Sequence, residues 1–252
     1  MIYNERIEYI LHQVQLRAIV KISDLSEELQ VSVDTVRRDL KNMEQSGLIK
    51  CIRGGACLPD SLASLSGFAG REIIHSDLKR EVARKAMHYI KPGATIALNS
   101  GTTNTILAQE LLLRNEDITV ITNNIAAINI LMQSPSIHLI AIGGIIDSSE
   151  KSTYGSVCEK EFGAYYADIA FLSINAVNEQ DGFTDFRMSE IGIIQLLAER
   201  AERVIAVMDS SKLGQRSKKR VLSLDQVDRV LMDDCVPDKL IEEYRARGLN
   251  IE

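Results

Sequence analysis

Apolar residues recur at helical spacing through the first fifty positions. Ile7, Ile10, Leu11 and Val14 mark one helix over 5–15. Residues 18–22 are short and β-branched, and Leu25 and Leu29 mark a second helix over 24–29, with Ser23 as its expected N-cap. Gln30-Val31 supplies a tight turn, and Ser32 caps a third helix. There Val33, Val36, Leu40 and Met43 fall on one stripe at about 100° per residue, as a helix packed on two others requires. This helix runs to about Ser46 and stops at Gly47, a good residue just beyond a helix end. Residues 48–57 then alternate around Gly54-Gly55 as a short β-hairpin does. Three helices and a hairpin predict a winged helix-turn-helix over 1–58.

The polar face of the third helix carries the chemistry. Arg38 projects away from the apolar stripe, Asp34, Thr35, Lys41 and Asn42 fan out beside it, and Arg37 lies on the flank. Thr and Asn can bond base edges or phosphates, and Arg can do either with two donors. Asp39 repels phosphate, so its expected task is to hold a neighbouring arginine. Ser32, Asp34, Thr35, Arg37, Arg38, Lys41 and Asn42 on the helix, with Lys50 and Arg53 on the wing, are the candidate DNA contacts. A formal net charge of −6 argues against nucleic acid until its distribution is seen. Residues 1–58 hold eight Lys/Arg and eight Asp/Glu, so the remainder carries the whole deficit. Between 37 and 53 the basic residues outnumber the acidic ones five to two. Screening makes a local patch sufficient for phosphate contact.

Residues 59–70 are small, polar and nearly uncharged, the composition of a linker. Residues 71–79 lead into a helix over 78–90, closed by Lys91-Pro92-Gly93. From Thr95 the pattern becomes strand, loop, helix, repeated. Strands are predicted at 95–99, 118–122, 138–142, 169–173, 204–209 and 229–232. Helices are predicted at 103–113, 125–132, 157–163, 188–200 and 238–247. This alternation predicts an α/β domain over 71–252 with a mostly parallel sheet.

In such a sheet, ligands bind at the carboxyl ends of strands. Asn99-Ser100-Gly101-Thr102-Thr103 runs straight into a helix, and its free N–H groups and positive dipole end suit phosphate or carboxylate. It equally fits an ordinary strand-to-helix turn with a Thr cap. It is neither a nucleotide-triphosphate nor a dinucleotide motif. Thr122-Asn123-Asn124, Ile142-Gly143-Gly144 and 209–214 with Lys212 are further polar loops at strand ends. Residues 181–185, with Glu190 opening the next helix, add carboxylates and a hydroxyl. Cys51, Cys57, Cys158 and Cys235 form no CxxC pair, and the four histidines are scattered, so neither a metal nor a cofactor is expected. The longest apolar run, 139–146, contains two glycines, and charges fill the N-terminus where a leader needs an apolar core. The reading is a cytoplasmic protein with no membrane partner.

The N-terminal spacing resembles a known family. Arg6-x3-Ile10-x3-Val14, seventeen residues, then Ser32-x2-Thr35-Val36-Arg37-Arg38-Asp39-Leu40 is similar to the DeoR-family signature over 35 residues. The second half resembles the family's sensor domain in order: Ser100-Gly101-Thr102-Thr103, Thr122-Asn123, Gly143-Gly144, Asp168 with Phe171, Gly182-Thr184, Glu190 and Asp209-Ser210-Ser211-Lys212. The chain departs from it at Asn99, where Asp is common, and at Ile194, where Lys is common. The resemblance implies a sensor fold similar to ribose-5-phosphate isomerase and CoA transferases. It also implies a homo-oligomer, dimer or tetramer, that represses a carbohydrate operon and leaves operator DNA when a phosphorylated sugar binds. Asn99, Ser100, Gly101, Thr102, Thr103, Thr122, Asn123, Gly143, Gly144, Asp168, Asp181, Thr184, Glu190 and Lys212 are its implied effector site. The competing reading is a sugar-phosphate isomerase or deaminase with a DNA-binding arm, using Asp168, Asp181, Asp185, Glu190 and Lys212 in acid–base roles. Against it, the sequence shows no nucleophile–base pair.

Overall fold

Ile7, Ile10, Leu11 and Val14 on α1 (Tyr3–Arg17) meet Leu25 and Leu29 on α2 (Ile22–Leu29) and Val36, Leu40 and Met43 on α3 (Val33–Gln45) in one buried cluster. They do so in a computed structural model that describes residues 3–17, 19–52, 54–58, 67–114 and 116–252. The chain divides into two units, Met1–Ile74 and His75–Glu252.

In the first unit β1 (Ile19–Lys21) and β2 (Lys50–Ile52) flank β3 (Gly55–Cys57), both antiparallel to it. Three helices and this small sheet form a winged helix-turn-helix. A side chain at Gly55 would strike the Val20 carbonyl, so the close approach of β1 requires glycine there. Two expectations are corrected. Lys21, not Ser23, precedes α2, because the Ile22 N–H is drawn to the Gly54 carbonyl (2.9 Å) and the helix starts directly off the strand. Val33 is exposed rather than part of the stripe. As the first residue of α3, its Cβ points back past the N-terminus and beyond the packing neighbours. Residues 68–70, expected as linker, open the short helix α4 (Phe68–Ile73), and the Phe68 side chain is buried. Residues 59–66 lie outside the described residues.

The second unit opens with α5 (Ser76–Met87) and builds a six-stranded parallel sheet. Its strands are β4 (Thr95–Leu98), β5 (Ile118–Thr122), β6 (Ile137–Ala141), β9 (Ala167–Leu172), β12 (Ala201–Val207) and β14 (Arg229–Leu231). The order is β14-β12-β9-β4-β5-β6. Between β6 and β9 lies the hairpin β7 (Ile145–Asp147) with β8 (Ser152–Tyr154). A second antiparallel sheet joins β10 (Ala176–Asn178), β11 (Gly182–Asp185) and β13 (Lys219–Leu222). The connecting helices are α6 (Thr102–Arg114), α7 (Ile125–Leu131), α8 (Ser156–Phe162), α9 (Ile191–Arg200) and α10 (Asp238–Arg245).

Both faces of the main sheet are covered, which is why its strands read as continuous apolar runs. On β4, Ile96 and Leu98 join a cluster with Val82, Leu107 and Leu131 from α5, α6 and α7. Ala97 between them joins the opposite cluster, with Phe162 from α8 and Ile194 and Leu197 from α9. No helix among the described residues is long and apolar enough to cross a membrane.

Candidate DNA-binding helix and effector loop

Ser32 caps α3 in extended conformation, its hydroxyl accepting from the Thr35 N–H (3.2 Å) and lying 2.9 Å from the Thr35 hydroxyl. The two side chains hold each other at the helix start. Arg37 pairs with Asp34 one turn back (3.1 Å), and both are exposed. Arg38, Lys41 and Asn42 are exposed along the same outer face, and Lys50 is exposed on β2. Arg53 lies outside the described residues. Asp39 is buried, and its partner is Arg6 on α1, not a neighbour on α3. Arg6 donates through Nε (2.8 Å) and Nη2 (3.2 Å). The pair therefore pins the recognition-type helix to α1 and leaves the outer arginines free of that carboxylate.

At the carboxyl edge of the main sheet, polar groups are buried in unusual number. The Asn99 amide donates to the Ser173 carbonyl (3.1 Å) and accepts from the Ser173 N–H (2.8 Å), tying the ends of β4 and β9. The amide carries both functions in one side chain, whereas an ionised carboxylate at this position could only accept. Gly101 follows at φ 143°, and a side chain there would strike the Ser173 hydroxyl, so the loop lies against β9 only as glycine. The Thr122 hydroxyl donates to Leu98 (2.7 Å), and Asn123 donates to the Thr153 carbonyl (2.8 Å) and to Glu190 (2.9 Å). Glu190 also accepts the Ser100 N–H (3.2 Å). Burial pushes its carboxyl up, against the pull of Arg187. Four buried side-chain atoms here have no hydrogen-bond partner: Ser100 Oγ, Asn104 Oδ1, Asn123 Oδ1 and Ser152 Oγ. Buried polar atoms are normally paired with protein or ordered water, so this edge keeps hydrogen-bonding capacity for water or a ligand.

The sequence reading misses the charged centre of this edge. Arg187 is buried, with Nε and Nη2 on the Asp185 carboxylate (3.0 and 2.7 Å), Nη1 on the Ser100 carbonyl (2.8 Å) and Nη2 on the Ser173 carbonyl (2.8 Å). Burial works to raise Asp185, but the Arg187 guanidinium overrides it and holds the carboxyl below its usual range. Burial likewise opposes the Arg187 charge, and Asp185 outweighs it. An Asp-x-Arg pair at the end of a short strand, three residues before a glutamate, was the available signal.

Other expected residues separate by position. Thr102 and Thr103 begin α6 and are buried beside Ser100. Gly143 donates to Glu161 (3.1 Å), and Gly144 packs on the β8 backbone, where a side chain would stand 2.7 Å from the Tyr154 carbonyl. Lys212 ends the single turn after β12, on the same edge two strands from β4. The Thr184 hydroxyl accepts from the Ser217 N–H (2.8 Å). Asp181 sits before β11, at the opposite end from Asp185, and its partners are Asn178 (3.1 Å) and Arg216 (3.5 Å). Asp168 is a correction. It stands near the start of β9 and accepts from the N–H of Thr95, the first residue of β4 (2.7 Å), so it belongs to the opposite edge and ties two strand starts together.

A winged helix-turn-helix with an exposed basic face, joined to an α/β unit with polar loops gathered at one sheet edge, defines a DNA-binding transcription regulator with a sensor domain. The DeoR-like helix-turn-helix domain matches residues 6–62 and the DeoR C terminal sensor domain matches residues 74–234. The chain belongs to the DeoR family. It is 30% identical to the HTH-type transcriptional repressor GlcR of Bacillus subtilis, over 95% of this chain and 91% of that protein. It is 29% identical to the HTH-type transcriptional regulator GolR of Listeria innocua, over 98% and 97%. The glycerol-3-phosphate regulon repressor of Escherichia coli is 26% identical over 96% of each chain. Among solved structures, ribose 5-phosphate isomerase A from Methanocaldococcus jannaschii is 23% identical at a TM-score of 0.41, covering 55% of this chain and 54% of that one.

Proposed function

We propose that this protein represses a carbohydrate-utilisation operon and leaves its operator when a phosphorylated sugar binds the 99–103 loop. The observation that carries the reading is the pairing of two features in one chain. The α3 face bearing Arg38, Lys41 and Asn42 is exposed, while Asp39 beside Arg38 is turned inward to Arg6. The sensor unit has partnerless polar atoms at the start of a helix, where N–H groups and dipole favour an anion.

In this reading residues 1–58 read DNA, with Ser32, Asp34, Thr35, Arg37, Arg38, Lys41 and Asn42 on the helix and Lys50 and Arg53 on the wing. Residues 59–70 connect, and residues 71–252 sense and oligomerise. Ser100, Gly101, Thr102 and Thr103 hold the phosphate, Asn123 and Glu190 face the sugar, and Lys212 stands nearby. A homodimer or tetramer sets two α3 helices in successive major grooves of repeated half-sites. Effector binding changes that spacing, a coupling of roughly 1–3 kcal/mol between the sites. The protein works in the cytoplasm.

Fluorescence anisotropy on labelled DNA from upstream of its own gene, at a fixed salt concentration, tests this with a panel of sugar phosphates. Tight binding reversed by one compound is expected. Arg38→Ala should cost about 1–3 kcal/mol and relax base preference, whereas Lys41→Ala should weaken all sequences alike and reduce the salt slope by about 1. No preference over random DNA, with a panel compound consumed, would point instead to an isomerase-like enzyme.

A further inference from the structure

The geometry points to Arg187 as the positioning residue of the effector loop, holding it in the form that receives an anion without touching the anion itself. This rests on the effector-loop reading above. The Ser100 residue is gripped on both sides by one six-residue stretch, 185–190. Its carbonyl is held by Arg187 (2.8 Å) and its N–H by Glu190 (3.2 Å). With the Ser100 carbonyl fixed, the next N–H groups, at the start of α6, have no carbonyl of their own helix to reach and stay available to a ligand. The Ser100 hydroxyl is buried beside them without a partner.

Two observations separate this role from mere support. The ends of β4 and β9 are already tied by both functions of the Asn99 amide to Ser173, so Arg187 is not needed to join them. A buried ion pair is also a poor source of stability, because desolvation offsets most of its attraction. Its specific yield is geometry: a planar guanidinium reaches Asp185, Ser100 and Ser173 at once, which a lysine's single point charge does not. Four of the guanidinium's five N–H donors are taken by Asp185 and the two carbonyls, the arrangement of a clamp on the loop.

The test uses the full chain, inorganic phosphate as probe and ³¹P line broadening as readout. Wild type should broaden the phosphate signal, and Arg187→Lys should weaken phosphate at least about tenfold, the scale expected from losing a charge-assisted hydrogen bond. Operator affinity without phosphate should stay within about twofold, since Arg187 lies outside the DNA-reading unit. Equal phosphate affinity in Arg187→Lys overturns the clamp and leaves the effector loop standing. Parallel loss of phosphate and operator binding overturns it too, as a structural defect. No broadening by wild type removes the effector-loop reading, and the clamp with it. Should the variant fail to fold, ¹⁵N spectra of wild type decide. Phosphate should move the amide signals of Gly101, Thr102 and Thr103 and leave the Arg187 Nε–H signal in place. A guanidinium signal that moves as far as the amides makes Arg187 a ligand contact and overturns the proposal.

Discussion

Removing Arg6 should destabilise the helix-turn-helix unit from the far side of its candidate recognition helix. Arg6 is the partner of Asp39, whose side chain is 3% exposed while that of Arg6 is 14% exposed. Truncation to Ala leaves the buried Asp39 carboxylate facing α1 without its cation. Breaking a fully buried pair costs about 3–5 kcal/mol, and an exposed pair about 0–1 kcal/mol. With one partner buried and the other near the surface, Arg6→Ala should cost about 2–3 kcal/mol. A unit of this size holds roughly 4–11 kcal/mol at typical per-residue stability, so about a fifth to three quarters of it is at stake. The effect is asymmetric. Asp39→Ala removes the buried acid and leaves the Arg6 head near the surface, so it should cost only about 1 kcal/mol. The double variant should recover part of the Arg6→Ala loss, with a coupling of about 1–2 kcal/mol. Urea unfolding followed by far-ultraviolet circular dichroism suits a chain with no tryptophan. Asp39→Ala costing as much as Arg6→Ala, or strictly additive losses, would refute the reasoning.

Two further outcomes follow from the sensor unit. Burial raises the Glu190 carboxyl above its ordinary value of 4.5, so the folded chain holds this proton more tightly than the unfolded chain. Stability should therefore fall as pH climbs from that ordinary value through the raised one, and Glu190→Gln should flatten the dependence in urea titrations run upward from pH 4.5. Asp168→Ala should lower unfolding stability by about 1 kcal/mol through the lost bond to Thr95 while leaving effector affinity unchanged in anisotropy assays.

The stripe Val36–Leu40–Met43 was legible because α3 packs by periodicity alone, and the six parallel strands were legible because each is apolar on both faces. What the sequence hid lay where tertiary contacts decide. Ser23 had the right chemistry for a cap, but the Ile22–Gly54 bond started the helix before it. Phe68 is the lone aromatic in a stretch of linker composition, and its burial turns 68–70 helical. The β7–β8 and β10–β11–β13 strands span three or four residues each, too few for a period to register. Asp168 has the residue type of a site and the position of a strand start, a distinction set by sheet direction. Arg187 escaped notice because charge just past a short strand ordinarily means a solvent-facing turn, and its meaning comes from two carbonyls 14 and 87 positions away.

The buried clusters of the two units draw on separate stretches of chain, 7–56 for the one and 82–251 for the other. Each cluster can therefore change its own residues without altering those that form the other. Recombination at the junction thus offers a route by which one sensor acquires a new operator, or one operator a new signal, in a single step.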